Sequence, residues 1–575
     1  MGSRPVRLLT ALLVAGAVLS AGCSGVPTGG PAVTVRNVPP VAVDDDPDVR
    51  LEPREPGAND APDQVVRGFL AAAKSSTDRH AIARTFVAPT ADWQDSTGTR
   101  VITIDSLRTT GHGASASVRL TGRYQASLAP DGAYLPGDRP LSLSYQLRRV
   151  AVGWRIVDPP AGVLLPASDF QQVYKAVDLY FLSPDGQAVV PDRRYFDVNQ
   201  AALPTEMATR LLAGASAWLA PGVRTAFPAG TRLRSNVVKD AGVFVVDLSS
   251  EVLAASRPQQ VALAAQLVWT LAKRFSVSGV RVLADGRPLR VQSNTGLVGR
   301  DAYTSYDPRV LTTTVPGYFL ARGSLRTTGS SAPDGPAART GAGLVAGAVS
   351  TDLGRLAGLR RGAGRVELVA GLLAGSLTVL YSAPSLTRPS WEAGAAAVFV
   401  VAGGRTVWRV PFSGPAVMVP APGLARWGPV STLLLSRDGV RVAVIAGPAG
   451  AGHLLLGVLH RAGTQVMLTG LREVAGQLTA VADVAWADDA ELLVLARAGG
   501  SAPAPYVVDV DGATVTERLT ADLPGDRRHV AAAPGEPDLV EAGGRIYRRS
   551  GSGWAPASGG AAGSAPGGNM PFYPG

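Results

Sequence analysis

The sequence predicts a multidomain chain in which two α+β domains precede an all-β propeller of five or six blades. The length of 575 residues exceeds one typical domain and leaves room for several cores. Two successive segments combine helical periodicity with alternating strands. Beyond about residue 313 the helical periodicity disappears and short apolar strands recur between turns. These three observations together favour the mixed fold class.

Changes in composition divide the chain into six predicted segments. They are a signal peptide at 1–22, a lipidated cysteine with an extended tether at 23–60, a first domain at 61–165, a second at 170–300, the propeller at 315–556 and a Gly/Ala/Pro-rich tail at 557–575. The net charge of +10 comes from scattered arginines and not from a dense basic stripe. It therefore predicts no nucleic-acid partner, and for a membrane-tethered chain it fits attraction to anionic lipid or wall polymer.

The first 23 residues have the pattern of a secretion signal. Arg4 and Arg7 precede an apolar run from Leu8, and the small residues Ser20-Ala21-Gly22 stand directly before Cys23. The apolar run is about 14 residues, roughly 21 Å as a helix, which is too short for a stable membrane span. We therefore predict cleavage between Gly22 and Cys23. Because Cys23 is the only cysteine, it has no partner for an intramolecular disulfide.

This segment resembles the signal of bacterial lipoproteins, although Ser20 stands where Leu is usual and Leu19 lies one place earlier. The resemblance implies that Cys23 is the lipid-attachment site, carries a diacylglycerol thioether, and holds the chain on the outer face of the cytoplasmic membrane. Two acyl chains would be needed for stable anchoring. The alternative is an ordinary cleaved signal with an incidental cysteine. The Pro-rich, charged stretch that follows predicts an extended tether.

The first domain is predicted to begin with helices and end with an antiparallel sheet. The apolar residues of its first helix share one face: Val65, Val66, Phe69, Leu70 and Ala73. Residues 114–126 and 141–147 alternate apolar and polar, and a hairpin is predicted to turn at Gly153. The order resembles NTF2-like domains, which often have a pocket between sheet and helices. Asp95, Asp105 and His112 are its polar candidates, and a surface role is favoured for each.

The second domain is predicted to pair a strand at 177–182 with a return strand at 189–193, and to lay an apolar helix on a sheet. Residues 172–292 resemble the GerMN domain through a set of short motifs: Tyr180-Phe181, Leu211-Leu212-Ala213-Gly214, Thr225-Ala226-Phe227-Pro228 and Gln266 to Leu271. Gln266 and Thr270, one helical turn apart, are candidates for a polar contact site, with a structural role as the favoured alternative. Arg193 beside Asp192 is interpreted as part of a solvated ion pair.

The third region contains a diverged repeat. The motif Ser350-Thr-Asp352 recurs as Ser436-Arg-Asp438, with looser versions near Ser390, Trp486 and Ala533. The successive intervals of 40, 46, 50 and 47 residues match one four-stranded propeller blade. A pair of β-sandwiches is the alternative. The closing residues Met570 to Pro574 are predicted either to remain apart or to return and close the ring.

No motif for catalysis or metal binding stands out in the sequence. The histidines are His80, His112, His453, His460 and His529, and none neighbours a catalytic motif. The sequence has no Gly-x-Ser-x-Gly elbow, His-Glu-x-x-His helix or phosphate loop. We therefore predict no catalytic residues, no metal ligands and no cofactor, with a metal role for His453 and His460 disfavoured.

The order of signal, tether, NTF2-like domain, GerMN-like domain and diverged propeller is similar to that of the LpqB family of actinobacterial lipoproteins. The resemblance implies an accessory protein that binds the extracytoplasmic domain of a sensor histidine kinase of the Mtr type and modulates its signalling in cell-wall homeostasis and division. One alternative is a cell-wall glycan or peptide binder with a passive propeller. A peptidoglycan hydrolase is the least favoured.

Overall fold

The computed structural model describes residues 54–75, 79–111, 113–275, 277–291, 293–307, 315–329, 333–557 and 565–575. All of these residues belong to one compact unit. None of the helices in these ranges combines the length and apolar character needed to cross a membrane. The predicted signal peptide and all but the last residues of the predicted tether lie outside the described residues.

In its described residues the first domain has three α-helices and one five-stranded sheet. The helices are α1 (Pro62–Ala73), α2 (Ala81–Thr85) and α3 (Ala167–Val173). The strands are β1 (Thr99–Thr110), β2 (Ser115–Leu128), β3 (Tyr134–Val150), β4 (Gly153–Asp158) and β5 (Val163–Pro166). The sheet order is β4-β3-β2-β1-β5, antiparallel except for the parallel pair β1–β5.

The core of this domain follows the predicted periodicities. α1 begins at Pro62, which suits the first helical turn because its missing N–H would have no helical partner there. Its apolar face is buried against the sheet, where Val118, Leu120 and Tyr145 point inward. The strict alternation of β2 is thus the pattern of a half-covered sheet. The predicted helical face and strands are confirmed.

The second domain contains a two-stranded sheet, a second sheet of five short strands, and two longer helices. The strands are β6 (Lys175–Leu182), β7 (Val189–Phe196), β8 (Val238–Asp240), β9 (Val243–Leu248), β10 (Gly279–Ala284), β11 (Arg287–Pro288) and β12 (Leu297–Gly299). The helices are α4 (Leu203–Ala213) and α5 (Arg257–Leu267), and α5 continues as a π-helical turn over Val268–Ala272. The order is β11-β10-β9-β8, with β12 pairing to β10 and β9 parallel to β10.

The third domain is a ring of six blades, which we number in chain order. Blade I holds β15 (Leu344–Val349), β16 (Arg355–Arg361), β17 (Val366–Leu372) and β18 (Thr378–Ala383); blade II holds β19 (Ser390–Trp391), β20 (Ala397–Ala402), β21 (Thr406–Pro411) and β22 (Val417–Val419). Blade III holds β23 (Val430–Leu435), β24 (Arg441–Ala446), β25 (His453–Ala462) and β26 (Gln465–Glu473); blade IV holds β27 (Leu478–Trp486), β28 (Glu491–Ala498), β29 (Ala504–Asp509) and β30 (Val515–Glu517). Blade V holds β31 (Arg527–Ala531), β32 (Leu539–Ala542), β33 (Arg545–Ser550) and β34 (Gly553–Pro556).

Blade VI is built from both ends of the domain. Its strands are β13 (Tyr318–Ala321), β14 (Ser324–Thr327) and β35 (Asn569–Phe572), in the order β14-β13-β35. β35 contacts β31 of blade V and β15 of blade I, so it takes the innermost place that the first strand has in the other blades. The closing residues therefore return to complete the ring, which extends beyond the predicted bound at 556.

Short 3-10 helices occur in the connections of all three domains. They cover Asp95–Thr97, Ala220–Gly222, Ser250–Ala254, Thr304–Tyr306, Pro336–Ala338, Ala393–Ala395 and Leu424–Trp427.

The predicted repeat marks the same turn in blades I and III. Ser350 and Ser436 each follow the first strand of a blade, and each hydroxyl accepts the backbone N–H that begins the second strand. In both turns the serine hydroxyl also donates to the aspartate two residues later. The Ser-x-Asp motif thus closes the tight connection between the first and second strands, and the propeller prediction is confirmed with six blades.

Candidate functional site

Three predicted residues lie outside the described residues. Cys23 and Gly22, the predicted lipid-attachment and cleavage positions, are among them. His112, a polar candidate of the first domain, is the third. Their roles stay predictions.

The other two polar candidates of the first domain lie apart at its surface. Asp95 forms an ion pair with Arg84 at 2.6 Å, whereas Asp105 is exposed on β1. A surface role therefore fits both residues, as the sequence favoured.

Gln266 and Thr270 attach α5 to the edge of β6. The Gln266 amide donates to the Tyr180 carbonyl at 2.9 Å and accepts the Ala226 N–H at 2.7 Å. The Thr270 hydroxyl accepts the Tyr180 N–H at 3.0 Å. Both side chains are buried, so the contact-site hypothesis is wrong for them and the structural role is confirmed. The reason is that buried backbone groups require hydrogen-bonding partners.

Arg193 does not form a solvated pair with Asp192. Its guanidinium lies 3.0 Å from Asp178 within the second domain and 2.8 Å from Asp509 in blade IV of the propeller. Asp192 is instead buried with Arg194 at 2.6 Å. The prediction was wrong because the propeller covers this end of β7 and supplies a carboxylate from 316 residues further along the chain. An ion pair removed from water requires such close partners.

A second carboxylate of blade IV completes this contact. The Tyr195 hydroxyl donates to Asp511 at 2.9 Å. Burial raises the pKa of Asp511, and nearby Asp509 raises it further, although Arg193 opposes both effects. For Arg193 burial lowers the pKa, but Asp178 and Asp509 outweigh it, so the pKa is raised above its usual value. The positive charge is thus shared between acidic groups of two domains.

Two further polar contacts join the second domain to the propeller. Lys273, just after the π-helical turn, lies 3.2 Å from Asp489 in the β27–β28 turn. The Trp218 indole donates to the Gly470 carbonyl of blade III at 2.8 Å. Val440 and Val458 of blade III pack on Leu219 beside it. Polar and apolar contacts therefore fix the second domain on blades III and IV.

The first domain joins the same junction. The Arg472 guanidinium lies 3.9 Å from the centre of the Trp218 ring and donates to the Tyr134 carbonyl at 3.4 Å. Burial lowers the pKa of Arg472 to about 10. Arg194 of β7 lies 3.0 Å from Asp131 of the first domain. All three domains thus meet around a cavity of about 130 Å³ lined by residues from each.

A charged cluster that the sequence did not single out lies beside the central channel of the propeller. Asp483 of β27 is buried and lies 2.8 Å from Arg388 of blade II and 3.2 Å from His529 of blade V. Burial by itself raises the pKa of Asp483, but Arg388 and His529 outweigh it, so the pKa is lowered. This cluster ties together three blades around the channel. Its only sequence signal is an aspartate inside an otherwise apolar strand.

The closing residues of the chain line the channel. Arg437 donates to the Pro574 carbonyl at 2.6 Å, and the Gly575 N–H donates to Val349 at 3.0 Å. Burial lowers the pKa of Arg437 to about 10.

Three of the described histidines make individual contacts in separate places. His453 lies 2.7 Å from Glu473, His460 donates to the Pro221 carbonyl at 2.7 Å, and His529 contacts Asp483. Within the described ranges no group of three or more His, Cys, Asp or Glu side chains is arranged to hold a metal ion.

The outer edge of the propeller exposes apolar side chains on two neighbouring blades. Val379 lies on β18, the outermost strand of blade I, and Val417 and Met418 lie on β22, the outermost strand of blade II. Val379 is 55% exposed and Met418 is 56% exposed. We call these three the outer-strand residues. The second-domain contacts described above fall on blades III and IV, so they leave this edge uncovered.

The fold and junction define a multidomain protein in which two α+β domains are held on a six-bladed propeller. Residues 323–574 match the family described as "Lipoprotein LpqB beta-propeller domain". Residues 55–171 match "Lipoprotein LpqB, N-terminal domain", and residues 178–290 match "Sporulation and spore germination". The GerMN-like prediction for the second domain is confirmed, whereas the NTF2-like interpretation of the first stays a prediction.

Relatives match over most of their length. The "Lipoprotein LpqB" of Mycobacterium tuberculosis is 32% identical over 88% of this chain and 88% of the relative. The "Lipoprotein LpqB" of Thermobifida fusca is 30% identical over 91% of this chain and 92% of the relative. The chain belongs to the lipoprotein LpqB family. The family name implies a membrane-anchored extracytoplasmic protein.

Solved structures with similar parts include two bacterial proteins. TolB from Acinetobacter baumannii is 11% identical, with a TM-score of 0.31 over 68% of this chain and 85% of TolB. The first GerMN domain of GerM from Bacillus subtilis is 18% identical, with a TM-score of 0.19 over 23% of this chain and 98% of that domain.

Proposed function

We propose that this protein is a non-catalytic accessory lipoprotein on the outer face of the cytoplasmic membrane. It is anchored through Cys23, binds the extracytoplasmic domain of a sensor histidine kinase of the Mtr type, and modulates its signalling in cell-wall homeostasis and division. The kinase and the membrane face come from the resemblance to the LpqB family.

The observation that supports a binding role is the uncovered edge of blades I and II. Outermost strands carry backbone N–H and C=O groups that can pair with a further strand, and their exposed apolar side chains favour contact with a partner. Val379, Val417 and Met418 supply such side chains. We place the kinase contact on these outer-strand residues.

The rigid junction supports a regulatory role. Arg193, Lys273 and Trp218 fix the second domain to the propeller. A partner bound to the propeller edge is therefore held in a definite orientation to the two α+β domains. A ligand shifts an equilibrium only by its differential affinity for the two states, so a tenfold preference for one kinase conformer would shift the ratio of the two conformers about tenfold when the kinase is saturated.

Crosslinking in intact cells tests this assignment. A photoreactive amino acid at Val379 or Met418 is expected to capture the sensor kinase. The matched control is Leu519, which is also exposed but lies between blades IV and V. Capture of wall fragments in place of a kinase would favour the wall-binding alternative, and equal kinase capture from position 519 would place the contact elsewhere.

The anchor is tested separately. The Cys23→Ala chain, if still exported, is expected to fold, to leave the membrane fraction and to lose much of its regulatory effect, because shared anchoring raises the effective concentration of two membrane partners. Full activity of the released chain would show that the anchor is dispensable.

A further inference from the structure

The hairpin between β3 and β4 exposes apolar residues at its turn. Val150 is 38% exposed and Val152 is 58% exposed. Turns at a protein surface usually carry small or polar residues, which makes two exposed valines at one tip unusual. β4 is the last strand of the first-domain sheet, and on its outer side Ile156 hydrogen-bonds to the backbone of Phe86 and Ala88.

Arginines surround these valines. Arg148 lies directly opposite Arg155 across the hairpin, and Arg149 lies opposite Trp154. Like charges that lie directly opposite each other on neighbouring strands destabilise a sheet. Among the described residues, no carboxylate forms an ion pair with these three guanidinium groups. β4 carries one acidic residue, Asp158, at its opposite end.

The basic character continues across the same face of the sheet. Arg108 of β1 lies opposite Arg119 of β2, and Arg119 in turn lies opposite Ser144 of β3. Arg148 stands four residues beyond Ser144 on that strand. Because side chains alternate along a strand, Arg108, Arg119, Arg148 and Arg155 share one face, whereas Arg149 points to the other face beside the turn. The face and the tip together form a cationic surface with an apolar end.

The chain enters the folded body beside this tip. Gly153 has a φ of 106°, and a Cβ there would lie 3.0 Å from the Ala58 Cα and 3.1 Å from the Gly57 carbonyl oxygen. The Arg54–Asp60 ion pair at 2.8 Å holds this entry segment. Residues 24–53 separate it from the predicted lipid on Cys23, and 30 residues span at most about 100 Å. The tip therefore lies beside the segment through which the chain enters the first domain.

A cleft runs along the same tip. Its volume is about 570 Å³, within the range of small-ligand sites. Apolar residues line most of it, namely Val87, Ala88, Pro89, Ala91, Val150 and Val152. Arg84 and Arg155 are its cationic members.

We propose that the β3–β4 tip is a membrane-docking element that binds anionic phospholipid. Val150 and Val152 enter the head-group region, while Arg148, Arg149 and Arg155 bind lipid phosphates. The combination of apolar residues and basic residues is the one that interfacial segments use. A soluble polyanion such as a wall polymer would use the arginines and leave the exposed valines without a role. The proposal rests on the membrane anchoring in the proposed function. Its test needs neither the covalent lipid on Cys23 nor the kinase.

The test uses the predicted mature chain, residues 23–575, with Cys23→Ala, which contains no cysteine. Val152→Cys then gives a single attachment point for an environment-sensitive fluorophore. Vesicles of equal parts phosphatidylglycerol and phosphatidylcholine are expected to bind this chain and to shift the emission to the blue. Vesicles of phosphatidylcholine alone are expected to bind it much more weakly.

Two variants and their matched controls identify the contact. Arg148→Gln/Arg149→Gln is expected to weaken binding to the anionic vesicles roughly 25-fold, at about fivefold for each arginine near such a surface. Arg361→Gln/Arg405→Gln, exposed on blades I and II, makes the same charge change and is expected to have little effect. Leu519→Cys carries the control fluorophore, whose emission is expected to stay unchanged.

Three results would overturn the proposal. The first is no binding to the anionic vesicles. The second is vesicle binding that leaves the emission of the fluorophore at position 152 unchanged, or that weakens as much in Arg361→Gln/Arg405→Gln as in Arg148→Gln/Arg149→Gln. The third is binding to a soluble anionic wall polymer that is as strong as binding to vesicles and independent of Val152, which would assign the arginines to the wall.

Discussion

Arg193 of the second domain and Asp509 of the propeller form a partly buried ion pair at 2.8 Å. The pair joins two domains whose contacting residues are 316 positions apart. It also explains why Arg193 lies in the core of the junction and not at the surface. This contact is one of several that hold the second domain on the propeller, together with Lys273–Asp489 and Trp218–Gly470.

Removing the cation is expected to weaken the junction. Arg193→Ala leaves Asp178 and Asp509 close together without their partner, so we expect a loss of about 3–5 kcal/mol in the free energy of unfolding. Denaturant unfolding measures it, and a cycle with Asp509→Ala isolates the coupling between the two residues. Arg528→Ala, which removes an exposed pair with Asp526, is the control and should change nothing measurable. Additivity in the cycle would contradict a direct interaction.

The raised pKa of Asp511 makes the stability of the junction depend on pH. Burial raises its pKa in the folded protein above the unfolded value. Its contribution to stability is therefore full below the unfolded pKa of about 3.9 and is lost as the pH rises through the raised pKa. Asp511→Asn removes this titration while its amide can still hydrogen-bond with Tyr195. Unfolding of both proteins between pH 4 and 8 should show the wild type losing stability relative to the variant, and a constant difference would contradict the assignment.

The cluster of Asp483, Arg388 and His529 beside the channel gives stability a pH dependence of the opposite sign. Arg388 and His529 lower the pKa of Asp483, so its contribution is present above the unfolded pKa and is lost as the pH falls through the lowered value. Asp483→Ala leaves Arg388 buried without its carboxylate, and a loss of about 3–5 kcal/mol is expected near neutral pH. Amide hydrogen exchange should rise first in β27 and β31. Unchanged protection there would show that the cluster does not hold the ring together.

Gln266 is expected to contribute to the stability of the fold through its two buried hydrogen bonds. Gln266→Leu keeps most of the side-chain volume but leaves the Tyr180 carbonyl and the Ala226 N–H without these partners. We expect the free energy of unfolding to fall by about 1–3 kcal/mol for each group. The control is Gln187→Leu, at an exposed position of the β6–β7 turn. Equal unfolding midpoints for the two variants would show that the hydrogen bonds of Gln266 add nothing to stability.

Local sequence patterns predicted the elements well because the physics that produces them is local. The apolar face of α1 repeats with the helical period, and β2 alternates with the period of a strand. The spacing of Ser350 and Ser436 marked blade turns, because the same hydrogen bonds close each turn. These features need no knowledge of distant residues.

The junction and the channel cluster were not predictable in the same way. Arg193 meets Asp509, and Arg388 meets Asp483, only after separate domains or blades have packed. No spacing rule in the sequence connects them. The closing strand β35 had two predicted outcomes for the same reason, since its partner Tyr318–Ala321 lies some 250 residues earlier. Functional residues at such contacts become visible only in three dimensions.

The most direct test of the central claim measures the phosphorylation of the response regulator in cells. We expect deletion of this lipoprotein to change the phosphorylated fraction, and Val379→Asp/Met418→Asp to change it in the same direction while the protein stays folded and at the membrane. Leu519→Asp is the matched control and should behave as the wild type. A phosphorylated fraction that is the same with and without the lipoprotein would contradict the proposed function.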